Sequence, residues 1–328
     1  GPFRQAGGGG LGGGPDFSVN VPQDGYHWWY VDALSDDGEM GLTVIAFIGS
    51  VFSPYYKWAR RKGPADPYQH CSINVALYGK GGKRWAMTER TAAAVGQSRD
   101  RFSVGPSALA WDGETLTIDI DEVTVPLPSR LRGQIRLTPR NIYRTEVSLD
   151  EPRNHSWWPI APLSDVEVAF GKPDRQWRGT GYFDSNWGSV PLERSFSSWT
   201  WSRAEMADGA VALYDVSRRS GHGDGDLAVA LKFRADGAVE AFDSPPGVML
   251  KKAGWWIDRP TRSEVPGDAR VISTLEDTPF YARSTIETRL CGELVEAVHE
   301  SLSMDRFVSP VVQLMLPFKM PRTRRVRQ

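Results

Sequence analysis

Residues 25–49, GYHWWYVDALSDDGEMGLTVIAFIG, contain two runs of strand-forming residues on either side of a turn. The runs 25–33 and 41–49 are rich in aromatic and β-branched residues, which favour strands. Between them, Ser35–Gly38 reads Ser-Asp-Asp-Gly, a composition typical of a tight turn. The sequence therefore predicts a β-hairpin at this point of the chain.

The same alternation of strand and turn signals recurs along most of the chain. Further predicted strands, with Gly- or Asp-rich turns between many of them, are 72–78, 85–89, 108–111, 115–120, 210–216, 227–233, 239–242, 271–275 and 281–289. Helical periodicity is weak, and one short helix is expected near Met304–Leu316, where Pro310 must interrupt or restart it. This pattern predicts an all-β protein built of antiparallel barrels or sandwiches with a short C-terminal helix.

The length of 328 residues is enough for two domains of about 100–200 residues each. The glycine-rich residues 1–20 are expected to form a flexible leader. We expect an N-terminal β module over 21–162, a second one over 163–318, and a basic tail over 319–328. The proline-rich segment Glu151–Pro162 is the predicted junction between the modules.

Composition excludes several classes of protein. The 39 basic and 40 acidic residues nearly balance, so a nucleic-acid partner is not indicated. The longest apolar runs, such as Val311–Leu316, are too short to span a bilayer, and the first residues lack a signal-peptide pattern. Cys71 and Cys291 could form one disulfide, but two reduced thiols in a cytoplasmic protein are the simpler interpretation.

Metal and nucleotide sites are not predicted either. None of the five histidines pairs with another at metal-ligand spacing, and the cysteines form no CxxC motif. The segment Gly221–Asp226 is similar to a calcium loop but lacks the closing Glu, so a solvated turn is favoured. The GxSxG, P-loop and Rossmann motifs are absent.

Two short segments carry reactive side chains two positions apart: His155-Ser156-Trp157 and Tyr182-Phe183-Asp184. In a strand such pairs project from the same face, so an acid, a base and two aromatic rings could converge. Spacing alone favours simpler roles, with Asp184 at a strand end capping a turn and His155 as a hydrogen-bonded junction residue. The run 27–30 is expected to be core, and Tyr55-Tyr56 either line a cavity or form a corner.

Five stretches of the sequence resemble one known family. They are residues 29–38 continuing into 46–56, 74–79, 84–90, 182–188 and 299–307. Together these motifs are similar to the carotenoid 1,2-hydratase (hydroxyneurosporene synthase) family of phototrophic bacteria. The resemblance extends from Gly25 to Arg322.

The resemblance implies a fold of two lipocalin-like β modules and a hydro-lyase activity without cofactor or metal. The implied reaction adds water across the terminal C1–C2 double bond of an acyclic carotenoid of the neurosporene or lycopene type. The implied catalytic residues are Asp184, Tyr182, His155 and Trp157. The residues expected to bind substrate are Trp158, Tyr55, Tyr56 and Trp187.

This chemistry is consistent with the residue types. Protonation of an alkene needs an acid that keeps its proton at neutral pH, which a carboxyl in an apolar pocket such as Asp184 can do. The rings of Trp157 and Tyr182 could stabilise the resulting tertiary cation, and His155 could orient the water or take its proton. A cofactor-free isomerase or cyclase on the same scaffold, and a carotenoid-binding protein without turnover, remain alternatives.

The expected location is cytoplasmic, with peripheral attachment to the inner or photosynthetic membrane. The basic tail contains Lys319, Arg322, Arg324, Arg325 and Arg327 and no acidic residue. Such a segment could bind an anionic membrane surface, or it could be a solvated tail.

Overall fold

The computed structural model describes residues 1–324, and most of them lie in β-strands. The strands are β1 (Phe3–Gln5), β2 (Tyr26–Ser35), β3 (Met40–Ile48), β4 (Cys71–Gly79), β5 (Arg84–Ala86), β6 (Glu89–Arg90), β7 (Val95–Gln97), β8 (Arg101–Val104), β9 (Ser107–Trp111), β10 (Leu116–Val123), β11 (Arg130–Pro139), β12 (Thr145–Ser148), β13 (His155–Lys172), β14 (Asp174–Gly188), β15 (Phe196–Met206), β16 (Gly209–Arg218), β17 (Leu227–Arg234), β18 (Val239–Ala241), β19 (Gly247–Leu250), β20 (Arg259–Arg262), β21 (Arg270–Asp277), β22 (Tyr281–Leu290), β23 (Glu293–Ser303) and β24 (Arg322–Thr323). The helices are α1 (Pro54–Arg60), α2 (Leu192–Ser195), α3 (Met304–Phe307) and α4 (Pro310–Met315).

The hairpin predicted from residues 25–49 is confirmed. Strands β2 and β3 pair antiparallel, with His27 opposite Ile48 at one end and Leu34 opposite Gly41 at the other. The turn closes with the Gly38 amide donating to the Ser35 carbonyl at 2.9 Å, and Gly38 has a φ of 72° that favours glycine. The predicted all-β fold class is confirmed as well.

The first sheet has fifteen strands, with the main order β24-β6-β4-β3-β2-β14-β13-β11-β10-β9-β8-β7. Its two long central strands, β13 and β14, pair antiparallel over most of their length. Apolar side chains from β3 and β4 pack in one cluster with those from β8 and β10, so the sheet curls around its own core. Because strand residues alternate between faces, the opposite face of β2 and β14 is free to meet a second layer.

The second layer is a seven-stranded antiparallel sheet of order β18-β17-β16-β15-β23-β22-β21. One face packs on the first sheet through a cluster rich in aromatic side chains. The other face carries a smaller apolar cluster that includes Leu250 of the β19–β20 hairpin. The functional cavity described below lies between the two sheets.

The structure revises two predictions about domain organisation. The predicted boundary between residues 162 and 163 lies inside β13, and the change of sheet comes between Gly188 and Phe196. We therefore place the module boundary there. Most of the predicted junction Glu151–Pro162 is the first part of β13, where Pro159 and Pro162 lie at register shifts in the pairing with β14.

The glycine-rich start is packed against the first module and is not a flexible leader. Strand β1 pairs with β12, and the Trp111 indole donates a hydrogen bond to the Leu11 carbonyl at 2.8 Å. A side-chain carbon on Gly14 would lie 2.5 Å from the Trp111 ring, so glycine permits this close approach.

The helices begin where local capping favours them. The prediction near Met304–Leu316 is confirmed: α3 ends at Phe307, and α4 starts at Pro310 with the Ser309 side chain accepting from the Val312 amide. Helix α1 starts in the same way, with Ser53 capping and Pro54 first. None of the helices within residues 1–324 has the length and apolar character that a membrane span requires.

A buried cluster of charges connects the two sheets. Asp32 of β2 pairs with Arg203 of β15, and it also accepts a hydrogen bond from the Tyr30 hydroxyl at 2.6 Å. Arg283 of β22 pairs with Glu300 of β23 and lies 3.9 Å from an oxygen of Asp32. Because both arginines are buried, they depend on these carboxylates for compensation of their charge.

We predict that Asp32→Ala destabilises the protein by about 3–5 kcal/mol, because it removes a carboxylate from beside the two buried guanidinium groups of Arg203 and Arg283. Urea unfolding of the purified variant measures this loss. The matched control is Glu167→Ala, which breaks an exposed pair with Arg178 and should cost less than about 1 kcal/mol. Equal, small losses for both variants would show that the buried cluster does not hold the sheets together.

Candidate active site

A cavity of about 510 Å³ lies between the two sheets. The first sheet contributes side chains from β2, β3, β4 and β14, and the second contributes side chains from β15, β16, β22 and β23. Most of the wall is aromatic or aliphatic, as expected for a site that binds an apolar ligand. The aromatic side chains at its inner wall are Trp28, Tyr30, Trp199, Trp201 and Tyr214.

Asp184 is a buried carboxyl in this wall, and its two oxygens have different surroundings. The Oδ2 atom accepts a hydrogen bond from the Tyr182 hydroxyl at 2.7 Å and another from Trp157 Nε1 at 2.9 Å. Within residues 1–324, the buried Oδ1 atom has no hydrogen-bond partner. A carboxyl group that carries its proton on Oδ1 would become a donor at this position.

Burial raises the pKa of Asp184 to about 8, and the charges of Glu300 and Asp32 act in the same direction. The hydrogen bonds from Tyr182 and Trp157 oppose this shift because they stabilise the carboxylate. Desolvation dominates, so Asp184 is mainly protonated at neutral pH. This shift favours the neutral carboxylic acid at neutral pH.

Three of the four residues that were predicted to converge lie together in the structure. Tyr182 and Asp184 are two apart on β14, and Trp157 of β13 reaches both, since its Nε1 also lies 3.2 Å from the Tyr182 hydroxyl. Trp157 and Tyr182 are fully buried behind Asp184 and are not part of the cavity wall. They contact the acid through hydrogen bonds and do not present a ring face to the cavity.

His155 shares the face of Trp157 but lies farther along the strand. It is opposite Gly188, whereas Asp184 is opposite Pro159, four residues away or roughly 13 Å. Its ring nitrogens lie 2.7 Å from the Tyr26 hydroxyl and 2.7 Å from the Ser195 hydroxyl. Burial lowers the pKa of His155 to about 3, so the ring is neutral. This position separates His155 from the cavity wall.

The four residues expected to bind substrate lie outside the cavity wall. Trp158 and Trp187 alternate with Trp157 and Asn186, so their side chains project to the other face, where the Trp158 indole donates to the Tyr143 carbonyl and Trp187 stacks on a histidine. Tyr55 and Tyr56 belong to α1, where the Tyr56 hydroxyl donates to the Gly25 carbonyl at 2.6 Å. The Tyr55 ring packs edge-on against Trp58.

The sequence-based prediction missed several residues that do line the cavity. Asn186 continues the same face two positions after Asp184, and within the described chain its Nδ2 has no hydrogen-bond partner. The alternation rule that selected Asp184 also selects Asn186. Trp28 and Tyr30 belong to an aromatic run that was predicted to be core, and half of that run does pack in the first module. Trp201 and Glu300 come from the second sheet and had no local signal.

In the part of the chain that the structure describes, no group of three or more His, Cys, Asp or Glu side chains could hold a metal ion. Both cysteines are free thiols.

Comparison with known proteins gives a consistent family. The family model described as "Carotenoid hydratase CrtC" matches residues 44–328. The chain is 57% identical over 310 residues to the acyclic carotenoid 1,2-hydratase of Thiocapsa roseopersicina, covering 94% of this chain and 76% of that protein. It is 50% identical over 315 residues to the protein of the same name from Rubrivivax gelatinosus, with the same coverage of both chains.

Solved structures at low identity share the fold. A putative AttH from Nitrosomonas europaea superposes with a TM-score of 0.54 at 16% identity, covering 88% of this chain and 98% of that one. The structure of CghA with Sch210972 gives a TM-score of 0.55 at 12% identity, covering 92% and 98%. At these identities the likeness concerns the fold alone.

The raised pKa of Asp184 predicts a pH-dependent stability. Between about pH 4 and pH 8 the folded protein keeps a proton that the unfolded chain has lost, so the free energy of unfolding falls as pH rises through this window. Asp184→Asn cannot ionise and should lose less stability over the same range. Urea unfolding at several pH values, with Asp208→Asn in an exposed turn as the control, measures the difference. Parallel curves for wild type and Asp184→Asn would contradict the assignment.

Proposed function

The chain belongs to the carotenoid hydratase family, and we propose that it is an acyclic carotenoid 1,2-hydratase in which Asp184 is the acid. The reaction is the addition of water across the terminal C1–C2 double bond of an acyclic carotenoid. The observation that carries this proposal is a neutral, buried carboxyl in the wall of an apolar cavity, with one oxygen held by two donors and the other without a partner in residues 1–324.

The first step in this proposal is proton transfer from Asp184 to C2. The Asp184 O–H bond breaks, a C–H bond forms at C2, and positive charge develops at C1. Protonation at C2 gives a tertiary cation at C1, which is more stable than the cation that protonation at C1 would give. This difference in stability sets the direction of addition. As the carboxylate forms, Tyr182 and Trp157 donate hydrogen bonds to it, so their role is to position and stabilise the charged acid.

The cation at C1 needs negative charge close by in a dry site. The rings of Trp201 and Tyr214 line the same cavity as Asp184, and Trp201 packs edge-on against Tyr182 with ring centroids 4.9 Å apart. An aromatic face beside a desolvated cation contributes about 2 kcal/mol. The Asp184 carboxylate adds favourable charge, whereas the charge of Glu300, which also lines the cavity, is paired with Arg283.

The second step is attack of water on C1. Asn186 lies two positions after Asp184 on the same face, and its Nδ2 and the Asp184 Oδ1 are buried and lack hydrogen-bond partners within residues 1–324, so together they can hold a water molecule beside the acid. A C–O bond forms at C1, and the proton released by the water returns to the Asp184 carboxylate. The acid is thereby regenerated, and the balance of atoms is the addition of one water, with no cofactor required.

We assign His155 a positioning role in place of the predicted water activation. Its backbone amide donates to Asp150 Oδ1 at 3.0 Å, and its ring bridges Tyr26 and Ser195. These contacts fix the start of β13, on which Trp157 is carried.

The alternatives are an isomerase or cyclase and a binding protein without turnover. Unpartnered polar atoms beside the acid favour hydration over both, because they offer a place for water. Incubation of the pure protein with an acyclic carotenoid separates the three: a product heavier by one water, a product of unchanged mass, or unchanged substrate.

The cytoplasmic and peripheral location remains a prediction. The basic tail is only partly available for membrane binding, because Arg322 pairs with Glu89 and β24 extends the first sheet. Arg325 and Arg327 lie outside the described residues.

We predict that Asp184→Asn folds normally and loses hydration by about 100-fold or more, since an amide cannot deliver the proton. In the wild-type protein, activity should fall as pH rises through about 8, where Asp184 loses its proton. Product formation measured across pH, with circular dichroism as a check of folding, tests both. Near-normal turnover by the folded variant would remove Asp184 from the mechanism.

We expect the Trp201 indole to stabilise the cation through the negative electrostatic potential of its ring face. Trp201→Leu is expected to lower the rate constant of hydration by about 30-fold, corresponding to about 2 kcal/mol, whereas Trp201→Phe should retain part of the rate. Trp187→Leu, which removes an indole outside the cavity, is the matched control. Equal rate losses for the Leu and Phe variants at Trp201 would indicate packing in place of charge stabilisation.

A further inference from the structure

The mouth of the cavity is surrounded by apolar side chains that are exposed to solvent. This apolar rim consists of Trp255, Trp256, Val311, Leu314, Met315 and Phe318, whose exposed fractions range from 41% for Met315 to 79% for Phe318. Trp255, Met315 and Phe318 also line the cavity, so the apolar surface continues from the inside to the outside. Soluble proteins rarely expose a large contiguous apolar patch unless it has a partner.

The local structure explains why the rim side chains are exposed to solvent. Val311, Leu314, Met315 and Phe318 follow the i, i+3, i+4, i+7 spacing, so they share one face of α4 and the short turn after it. Val312 and Leu316 occupy the opposite face and are buried. The loop that carries both tryptophans is fastened to this helical segment, because Arg306 donates to the Trp255 carbonyl at 2.6 Å and to the Trp256 carbonyl at 3.2 Å.

Basic side chains flank the rim. They are Lys251, Lys252, Arg306, Lys319, Arg322 and Arg324; of these, Lys252 pairs with Asp258 and Arg322 with Glu89, whereas Lys251 and Lys319 are exposed and have no ion pair within residues 1–324. Lys319 is exposed at the cavity mouth itself. An apolar helical face flanked by basic side chains is typical of a segment that lies in the interface of an anionic bilayer.

We propose that the apolar rim docks on an anionic lipid bilayer, with its apolar side chains in the acyl region and the lysines at the headgroups. The choice of a bilayer over a second copy of the chain rests on the continuity of the rim with the cavity: Trp255, Met315 and Phe318 belong to both, so a protein partner on the rim would close the mouth, whereas a bilayer leaves it open to an apolar ligand. The proposal also rests on the proposed function, because a long hydrocarbon substrate dissolves in lipid and would enter the cavity from the bilayer without crossing water.

The test compares two double variants in the full chain. Val311→Glu/Leu314→Glu places two carboxylates on the rim at positions outside the cavity wall. Leu127→Glu/Leu294→Glu adds the same charge at two exposed leucines on other parts of the surface. Thermal unfolding first establishes that both variants fold. Co-sedimentation with vesicles made of equal parts phosphatidylcholine and phosphatidylglycerol then gives the binding constants.

The rim variant should bind about tenfold or more weakly than wild type, and the control should bind like wild type. The proposal is overturned if the two variants bind alike, if wild type does not bind, or if the rim variant only converts a lipid-free dimer into a monomer. Wild-type hydration of detergent-dispersed carotenoid is measured in parallel. Rim-dependent binding without any hydration would refute the proposed function and leave the docking surface intact.

Discussion

The carboxyl group of Asp184 is enclosed where two β-sheets face each other, and the candidate chemistry depends on that enclosure. On the first sheet alone, Asp184 would lie on an open face and its carboxyl would be solvated. The second sheet covers it with Trp201 and Tyr214, and the resulting desolvation raises its pKa to about 8. The pairing of β14 with β13 then supplies two donors to one oxygen only. The raised pKa of Asp184 thus depends on the assembled pair of sheets and not on the Tyr182-Phe183-Asp184 segment alone.

A gap between two sheets tends to close, because unfilled volume forfeits packing. Large aromatic side chains border this gap, and a charged cluster lies beside it. Asp32, Arg203 and Arg283 link the sheets through contacts that need defined distances, so they set how closely the sheets approach. Glu300 belongs to both features, since it pairs with Arg283 and lines the cavity. Burial raises the pKa of Asp184 most, and Glu300 and Asp32, the two carboxylates of this cluster, raise it further.

Much of the fold could be predicted from local signals, because strand alternation and turn residues act over a few positions. The same rule identified the face shared by Tyr182 and Asp184. It gives no distance along a strand, however, so His155 was grouped with Asp184, which is roughly 13 Å away. It gives no information on the partner sheet, so Trp201 and Glu300 were missed. Trp158 and Trp187 were expected to bind substrate, although strand alternation directs their side chains to the other face. The packing of the N-terminal glycines was not predicted, because composition does not reveal a contact such as that of Gly14 with Trp111.

The position of the acid relative to the cavity mouth accounts for the expected choice of double bond. The exposed residues Met315 and Phe318 lie at the mouth, whereas Asp184 and Asn186 are buried between the sheets. In the proposed reaction, a linear polyene enters from the mouth end first, so that its terminal double bond reaches the acid and the remaining double bonds stay along the apolar walls and towards the rim. The proposal places the water next to Asp184 and Asn186, whose Oδ1 and Nδ2 have no hydrogen-bond partner within residues 1–324. Selectivity for the chain terminus therefore follows from the depth of the acid and requires no group that recognises the double bond itself.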